Sequence, residues 1–194
     1  IVLDGSAPAE RVDQIVLNAK TQRPGVCNAV ETLLVLESAV APHLARVLSA
    51  LAEAGVTLHL DEPSMEIAQQ AGLPSAQLRP ATPDSWGAEY LSLDLAVRVV
   101  ADLDAAIDHI DAHGSDHTEC IVTEDWDEGQ RFLEQVDSSV VLVNASTRFS
   151  DGGQLGLGAE IGISTTRMHA YGPMGLRELT TTKFIVTGAG QIRP

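Results

Sequence analysis

Thr32-Leu33-Leu34-Val35-Leu36 is an apolar run of strand length, and the residues on either side of it carry helical rather than alternating patterns. After it, Ala39 to Ala54 places Leu44, Val47, Leu48 and Leu51 on one helical face and ends at Gly55, a residue suited to a helix C-terminus. Val56-Thr57-Leu58-His59-Leu60 then reads as a second strand, Pro63 opens a short helix through Ala71, and Gly72 closes it. Residues 73 to 88, with Pro74, Pro80 and Pro83, read as a breaker-rich connection. The alternation resumes with strand Leu95 to Ala101, helix Asp104 to His113 stopped by Gly114, and strand Glu119 to Thr123. Helix Asp127 to Val136, with Phe132, Leu133 and Val136 as its apolar side, and strand Ser139 to Val143 complete it. Strands alternating with helices imply an α/β fold with a mostly parallel sheet flanked by helices. There is no fixed-period repeat and no low-complexity tract.

Before the opening strand, Glu10 to Lys20 places Val12, Ile15, Val16 and Ala19 at helical spacing, and Pro24-Gly25 forbids its continuation. Cys27 falls in the turn, in Gln22-Arg23-Pro24-Gly25-Val26-Cys27-Asn28-Ala29-Val30-Glu31-Thr32. A thiol between elements is where a nucleophile sits, and Lys20, Arg23 or free backbone N–H groups are expected to favour its thiolate. The plainer reading is a small buried hydrophobe. Cys120, in Glu119-Cys120-Ile121-Val122-Thr123, is expected to pack in the core.

At 194 residues the chain supports one compact domain with an arm, and 44% hydrophobic with 20% charged residues is ordinary for a soluble protein. A formal charge of −15 with twelve scattered Lys and Arg argues against nucleic acid or an anionic membrane as partner. Two cysteines without a C-x-x-C pair give neither a metal-site spacing nor a disulfide framework. Neither a secretory leader nor a bilayer-length apolar run is read, so a cytoplasmic home is expected. The chain begins Ile1-Val2-Leu3-Asp4 rather than with methionine and is read as a processed product, an excised domain or a shortened chain. His109, His113 and His117 recur every fourth position, but Gly114 breaks the helix that would align them on a metal. They are read as surface or loop histidines, and no metal is expected.

Three ordered segments resemble the gamma-glutamyl phosphate reductase branch of the aldehyde dehydrogenase superfamily. The first is Arg23-Pro24-Gly25-Val26-Cys27-Asn28-Ala29 before its apolar strand. The second is Val143-Asn144-Ala145-Ser146-Thr147-Arg148-Phe149 followed by Gly156-Leu157-Gly158-Ala159-Glu160-Ile161-Gly162-Ile163-Ser164-Thr165. The third is Gly172-Pro173-Met174-Gly175-Leu176 with Leu179-Thr180-Thr181.

The resemblance implies an aldehyde-dehydrogenase-type catalytic domain over residues 1–165 and a C-terminal oligomerisation arm over 166–194, with Thr181 to Thr187 as its strand. The dinucleotide-binding domain, N-terminal in that family, is absent, so the chain is expected to be the C-terminal half and to turn over little alone. Also implied are Cys27 as nucleophile and NADPH-dependent reduction of L-glutamyl 5-phosphate to L-glutamate 5-semialdehyde through a thioacyl intermediate, in proline biosynthesis. Homo-oligomerisation and coupling to glutamate 5-kinase are implied partners. Asn144, Ser146, Thr147 and Arg148 follow a strand directly, where α/β sheets place their sites, and are expected to bind substrate, Arg148 through its α-carboxylate. Glu89 has the place of the glutamate that holds the nicotinamide nucleotide's ribose. The chain departs from many family members at Leu36, where they have histidine, and at Tyr171, where they have arginine; Glu160 is given no role. Two other classes stay open: a non-catalytic binding or assembly module, and a thiol acyltransferase or hydrolase, which needs a base that no histidine near Cys27 in sequence supplies.

Overall fold

The structure, a computed structural model, describes Ile1–Pro194. Seven parallel strands form the central sheet: β1 (Val2–Leu3), β2 (Thr32–Leu36), β3 (Thr57–Leu60), β4 (Leu78–Pro80), β5 (Asp94–Val100), β6 (Thr118–Val122) and β7 (Val140–Val143), in the order β4-β3-β5-β2-β1-β6-β7. The helices are α1 (Ala9–Thr21), α2 (Glu37–Ala39), α3 (Ala45–Glu53), α4 (Glu62–Gln70), α5 (Leu103–His113) and α6 (Trp126–Gln135).

The central strands carry apolar residues at consecutive positions, as at Leu33–Leu36 of β2, because both faces are covered. In β2, Leu33 and Val35 join a 24-residue core with Val12 and Val16 of α1, Leu48 and Leu51 of α3 and Ala68 of α4. Leu34 and Leu36 point the other way, into an 11-residue core with Ala106 and Ile107 of α5 and Phe132 of α6. Burying such a side chain contributes about 1.5–3 kcal/mol, so the two cores together fix the register of the sheet. No helix is long and apolar enough to cross a membrane.

Several expectations are corrected. The first strand lies at Val2–Leu3, a two-residue element too short to show a period, hydrogen-bonded between β2 and β6. The helix expected over Ala39–Ala54 begins at Glu37 and passes through a π-helical stretch, Val40–Leu44, because Pro42 has no N–H to give its turn. The breaker-rich connection contains β4, which tolerates Pro80 because it lies at the sheet edge. On α6, Phe132 is buried but Leu133 is 39% exposed. Beyond the sheet, β8 (Gly162–Ser164) and β9 (Gly172–Met174) form a two-stranded antiparallel ladder. The strand expected at Thr181–Thr187 is not formed in this single chain, where no neighbouring strand meets its backbone; Phe184 is 97% and Val186 89% exposed.

Candidate active site

Cys27 lies in the α1–β2 connection, held at both ends. On the strand side, the fully buried Lys20 donates from Nζ to Val30 O at 3.0 Å and to Glu31 Oε2 at 2.7 Å. Beside the thiol, Asn28 Nδ2 donates to Ser150 O at 2.8 Å, and Ala29 N closes a turn on Val26 O at 3.0 Å. The backbone N–H groups of Cys27 and Asn28 bond to no other residue.

The thiol opens onto a cavity of about 390 Å³ at the amino ends of β1, β2 and β6, where Ile1, Thr32, Thr118 and Glu119 line it. The site expected beyond the carboxyl ends is displaced because the chain after β7 turns back. Cys120 Sγ meets Ala145 O at 3.0 Å and Thr118 Oγ1 donates to Ser150 Oγ at 2.8 Å, so residues 145–150 run along β6 from its carboxyl to its amino end. That return brings Thr147 into the wall of the Cys27 cavity.

Of the nine covered side-chain polar atoms without a hydrogen-bond partner, four belong to residues lining this cavity: Asn28 Oδ1, Thr147 Oγ1, His109 Nε2 and His117 Nε2. Buried unpaired polar groups are costly and rare, and their clustering marks a place built to bind or react rather than to pack.

The expected thiolate activation is corrected. Burial, then the Glu160 and Glu89 carboxylates, push the Cys27 thiol up from its ordinary value, opposed only in part by its own N–H and Arg148. Lys20 is spent on Glu31, and Arg23 is exposed and makes no ion pair. Cys120 is buried, as expected, with its thiol pushed up to about 11.

The other sequence-derived residues divide. Glu89 lies on the cavity rim with Trp86, Gly87 and Ala88, and its carboxylate bonds to nothing in the chain. Asn144, Ser146 and Arg148 line a second concavity of about 610 Å³ together with Asn18 of α1 and Gln22, which caps it. Asn144, at φ 57°, ties the ends of the strands, accepting from Thr123 N at 3.0 Å and donating to Thr123 O at 2.8 Å. Ser146 Oγ accepts from Arg148 N, and Arg148 Nε donates to Gln22 Oε1 at 2.7 Å, which leaves the guanidinium's terminal N–H groups unpaired.

Of the three histidines read as surface or loop groups, His113 is exposed and His117 lies in the loop before β6, as expected, but His109 is buried on α5. His109 is 7% exposed and accepts at Nδ1 from Arg98 at 2.7 Å, while Trp86 packs edge-on against its ring. Burial, then Arg98 and His113, bring it down to about 4. His117 is half-buried and its Nδ1 meets Thr118 Oγ1 at 2.7 Å. Sequence reasoning missed both; their only signal was the four-residue spacing, which suggested a metal. Glu160 holds the glycine-rich loop, accepting from Gly152 N at 2.8 Å where a Cβ on Gly152 would meet Ala159 O at 2.5 Å. Tyr171 donates to Asp137 O at 2.7 Å and stacks under Arg167, fastening β9 to the turn before β7.

No protein-family model matches the chain. Over 193 residues, all of this chain and 44% of the relative, it is 56% identical to the gamma-glutamyl phosphate reductase of Anaeromyxobacter sp. (strain K). The crystal structure of the Thermotoga maritima gamma-glutamyl phosphate reductase superposes with a TM-score of 0.90 at 46% identity, covering 100% of this chain and 45% of that one. The Saccharomyces cerevisiae enzyme of the same name superposes with a TM-score of 0.62 at 36% identity over 80% of this chain and 38% of that one. The chain spans a little under half the length of the relatives it matches. The α/β fold and the whole of this sequence agree with one assignment: the chain belongs to the gamma-glutamyl phosphate reductases, as a part of their length.

Proposed function

We propose that this chain supplies the thiol chemistry for reducing L-glutamyl 5-phosphate to L-glutamate 5-semialdehyde with release of phosphate, a step of proline biosynthesis. The observation that carries this reading is the Cys27 cavity, which gathers four residues carrying unpaired polar atoms beside two backbone N–H groups that bond to no other residue. Cys27 Sγ attacks the acyl carbon, the acyl–oxygen bond breaks, and phosphate leaves with the electron pair, giving a thioacyl enzyme. The N–H groups of Cys27 and Asn28, which bond to no other residue, are the donors for the developing oxyanion. Arg148, with both terminal NH2 groups free, takes the substrate's α-carboxylate, and Asn144 and Ser146 set the loop that carries it, while Thr147 Oγ1 offers a hydroxyl to the acyl end.

A nicotinamide cofactor fits the rim, because Glu89 offers two unbonded carboxylate oxygens to a ribose diol beside Trp86 and the small Gly87 and Ala88. NADPH, when bound, supplies the hydride that reduces the thioester. Cys27 then leaves as thiolate and the aldehyde is released. Residues 1–165 form the catalytic part and 166–194 an arm for homo-oligomerisation. A dinucleotide-binding part of a longer enzyme is needed for turnover, so the chain alone is inactive or nearly so. Glutamate 5-kinase, as the source of the acyl phosphate, is the natural coupled enzyme, and a cytoplasmic setting suits both.

The test is intact-mass and peptide analysis of the chain incubated with glutamate 5-kinase, glutamate and ATP. A glutamyl adduct on Cys27 and none on Cys120 is the expected result; no adduct on Cys27 at any time sinks the thioacyl reading. A second reading, an assembly module without catalysis, is favoured by the exposed Phe184-Ile185-Val186 segment. Iodoacetamide labelling separates the two, since an assembly module gives no reason for Cys27 to react faster than Cys120.

A further inference from the structure

The Cys27 thiol presents a difficulty that the nucleophile reading leaves open. Burial, Glu160 and Glu89 keep it protonated at neutral pH, and no cation pairs with it closely enough to reverse this. A thiol so placed needs somewhere to send its proton.

Among the histidines lining the cavity, His109 cannot receive it. Its Nδ1 accepts from Arg98 at 2.7 Å, so the proton of the neutral ring sits on Nε2, which is a donor. His113 is exposed at the rim. His117 has the opposite tautomer. The Thr118 hydroxyl gives its own proton to Ser150 Oγ at 2.8 Å and therefore accepts from His117 Nδ1–H at 2.7 Å. The remaining nitrogen, Nε2, carries a bare lone pair, covered from solvent and without a partner. Burial lowers the proton affinity of this imidazole below the ordinary histidine value, against the pull of Glu160 and Glu89, so the lone pair is free at pH 7.

We propose that His117 Nε2, on a residue lining the same cavity as Cys27, is the proton acceptor for its thiol, with Thr118 and Ser150 fixing the tautomer that makes it an acceptor. The inference rests on the reading of Cys27 as nucleophile. The Cys27 S–H bond breaks and its proton passes to Nε2, while the sulfur's electron pair forms the bond to the acyl carbon and phosphate leaves with the pair of the broken acyl–oxygen bond. The imidazolium so formed keeps its Nδ1–H on Thr118 and returns the proton when the thiolate is released. Glu160 and Glu89 favour that imidazolium and disfavour the free thiolate, so one pair of carboxylates bears on both halves of the transfer. Glu31, Glu119, His109 and His113 also line the cavity, and Arg148 acts weakly on the thiol alone.

The experiment is the rate of Cys27 alkylation by iodoacetamide against pH in the 194-residue chain, with the buried Cys120 as internal control. With His117 as acceptor, the rate holds a plateau between the imidazole titration, which burial moves below 6.5, and the thiol titration, which burial and the two carboxylates move above 9.0, and it slows in D2O. His117→Asn keeps a donor to Thr118 and deletes only the lone pair. It is expected to lose the plateau, fall about tenfold per pH unit, react at least about tenfold more slowly at pH 7, and match the native chain above pH 10. Thr118→Val, which leaves the ring but frees its tautomer, is expected to lose part of the plateau and serves if His117→Asn does not fold. Superimposable profiles for the native chain and a folded His117 variant overturn the proposal and leave Cys27 as nucleophile. Failure of Cys27 to react even at pH 10 overturns the nucleophile reading itself.

Discussion

Replacing Lys20 by Met tests how the thiol loop is anchored. The Lys20 side chain is 0% exposed and Glu31 is 19% exposed, with Nζ to Oε2 at 2.7 Å and Nζ to Val30 O at 3.0 Å. Met replaces the aliphatic stem almost isosterically, so the loss is confined to the charge and its two hydrogen bonds. At an effective dielectric of about 20, two charges 2.7 Å apart attract by about 6 kcal/mol, a ceiling from which desolvation of both must be subtracted. Burial lowers the Lys20 proton affinity and raises that of Glu31, so desolvation opposes the pair on both sides. Breaking a buried pair costs about 3–5 kcal/mol, and the low end applies because the stranded Glu31 opens into the cavity and can be hydrated. Lys20→Met is therefore expected to destabilise the chain by about 3 kcal/mol, lowering Tm by roughly 6–12 °C. Glu31→Gln strands the more deeply buried ammonium and is expected to cost more, and the double substitution less than the sum of the two. Urea unfolding with an unchanged m-value is the assay. A Lys20→Met cost under about 1 kcal/mol, or additive single costs, refutes the argument that this pair anchors the loop.

The neutral His109 makes stability depend on pH. Its proton affinity is lowered to about 4 in the fold from an ordinary 6.5, so the unfolded chain binds the extra proton, and stability present above pH 6.5 is lost as pH falls toward 4. At pH 5 that loss is about 2 kcal/mol. His109→Asn should flatten the slope between pH 7 and 5, leaving what His43 and His117 contribute; an unchanged slope in chemical denaturation means that His109 is not the group responsible. The arm makes the third expectation. Phe184→Asp with Val186→Asp should shift the chain to a smaller species in sedimentation while leaving its unfolding free energy within about 0.5 kcal/mol, since both side chains touch little of the fold. An unchanged mass argues that these residues are not the oligomer contact.

The sheet was legible because its central strands are apolar on consecutive residues and the helices between them keep a 3.6-residue period, as in Val12, Ile15, Val16 and Ala19. β1 was not, since two residues have no period, and β4 was hidden by the prolines that only an edge strand accepts. The π-helical turn at Pro42 left its period almost intact and so passed as regular helix. At the site, Cys27 stood out by its flanking turn and by resemblance. Its surroundings did not, because the pairing of Asn28 with Ser150, and the tautomer of His117 that Ser150 sets through Thr118, depend on residues brought together from distant parts of the chain. Local pattern carries no information about such pairs. The charge environment of the thiol was misjudged for the same reason: Lys20 and Arg23 are near in sequence, whereas Glu160 and Glu89 are near in space.

The return of residues 145–150 along β6 also bears on the order in which the molecule assembles. Asn28 and Ser150 are 122 positions apart, and the hydrogen bond joining them closes a loop that contains most of the sheet. Contacts of such long range are reached only after the intervening chain has been ordered. The strands and helices are therefore expected to form before the thiol cavity exists, so during refolding the appearance of native Cys27 reactivity should lag behind the return of helical signal. The chemistry of this chain is the last thing folding produces and, because the segment lies outside the main cores, the first thing a local opening removes.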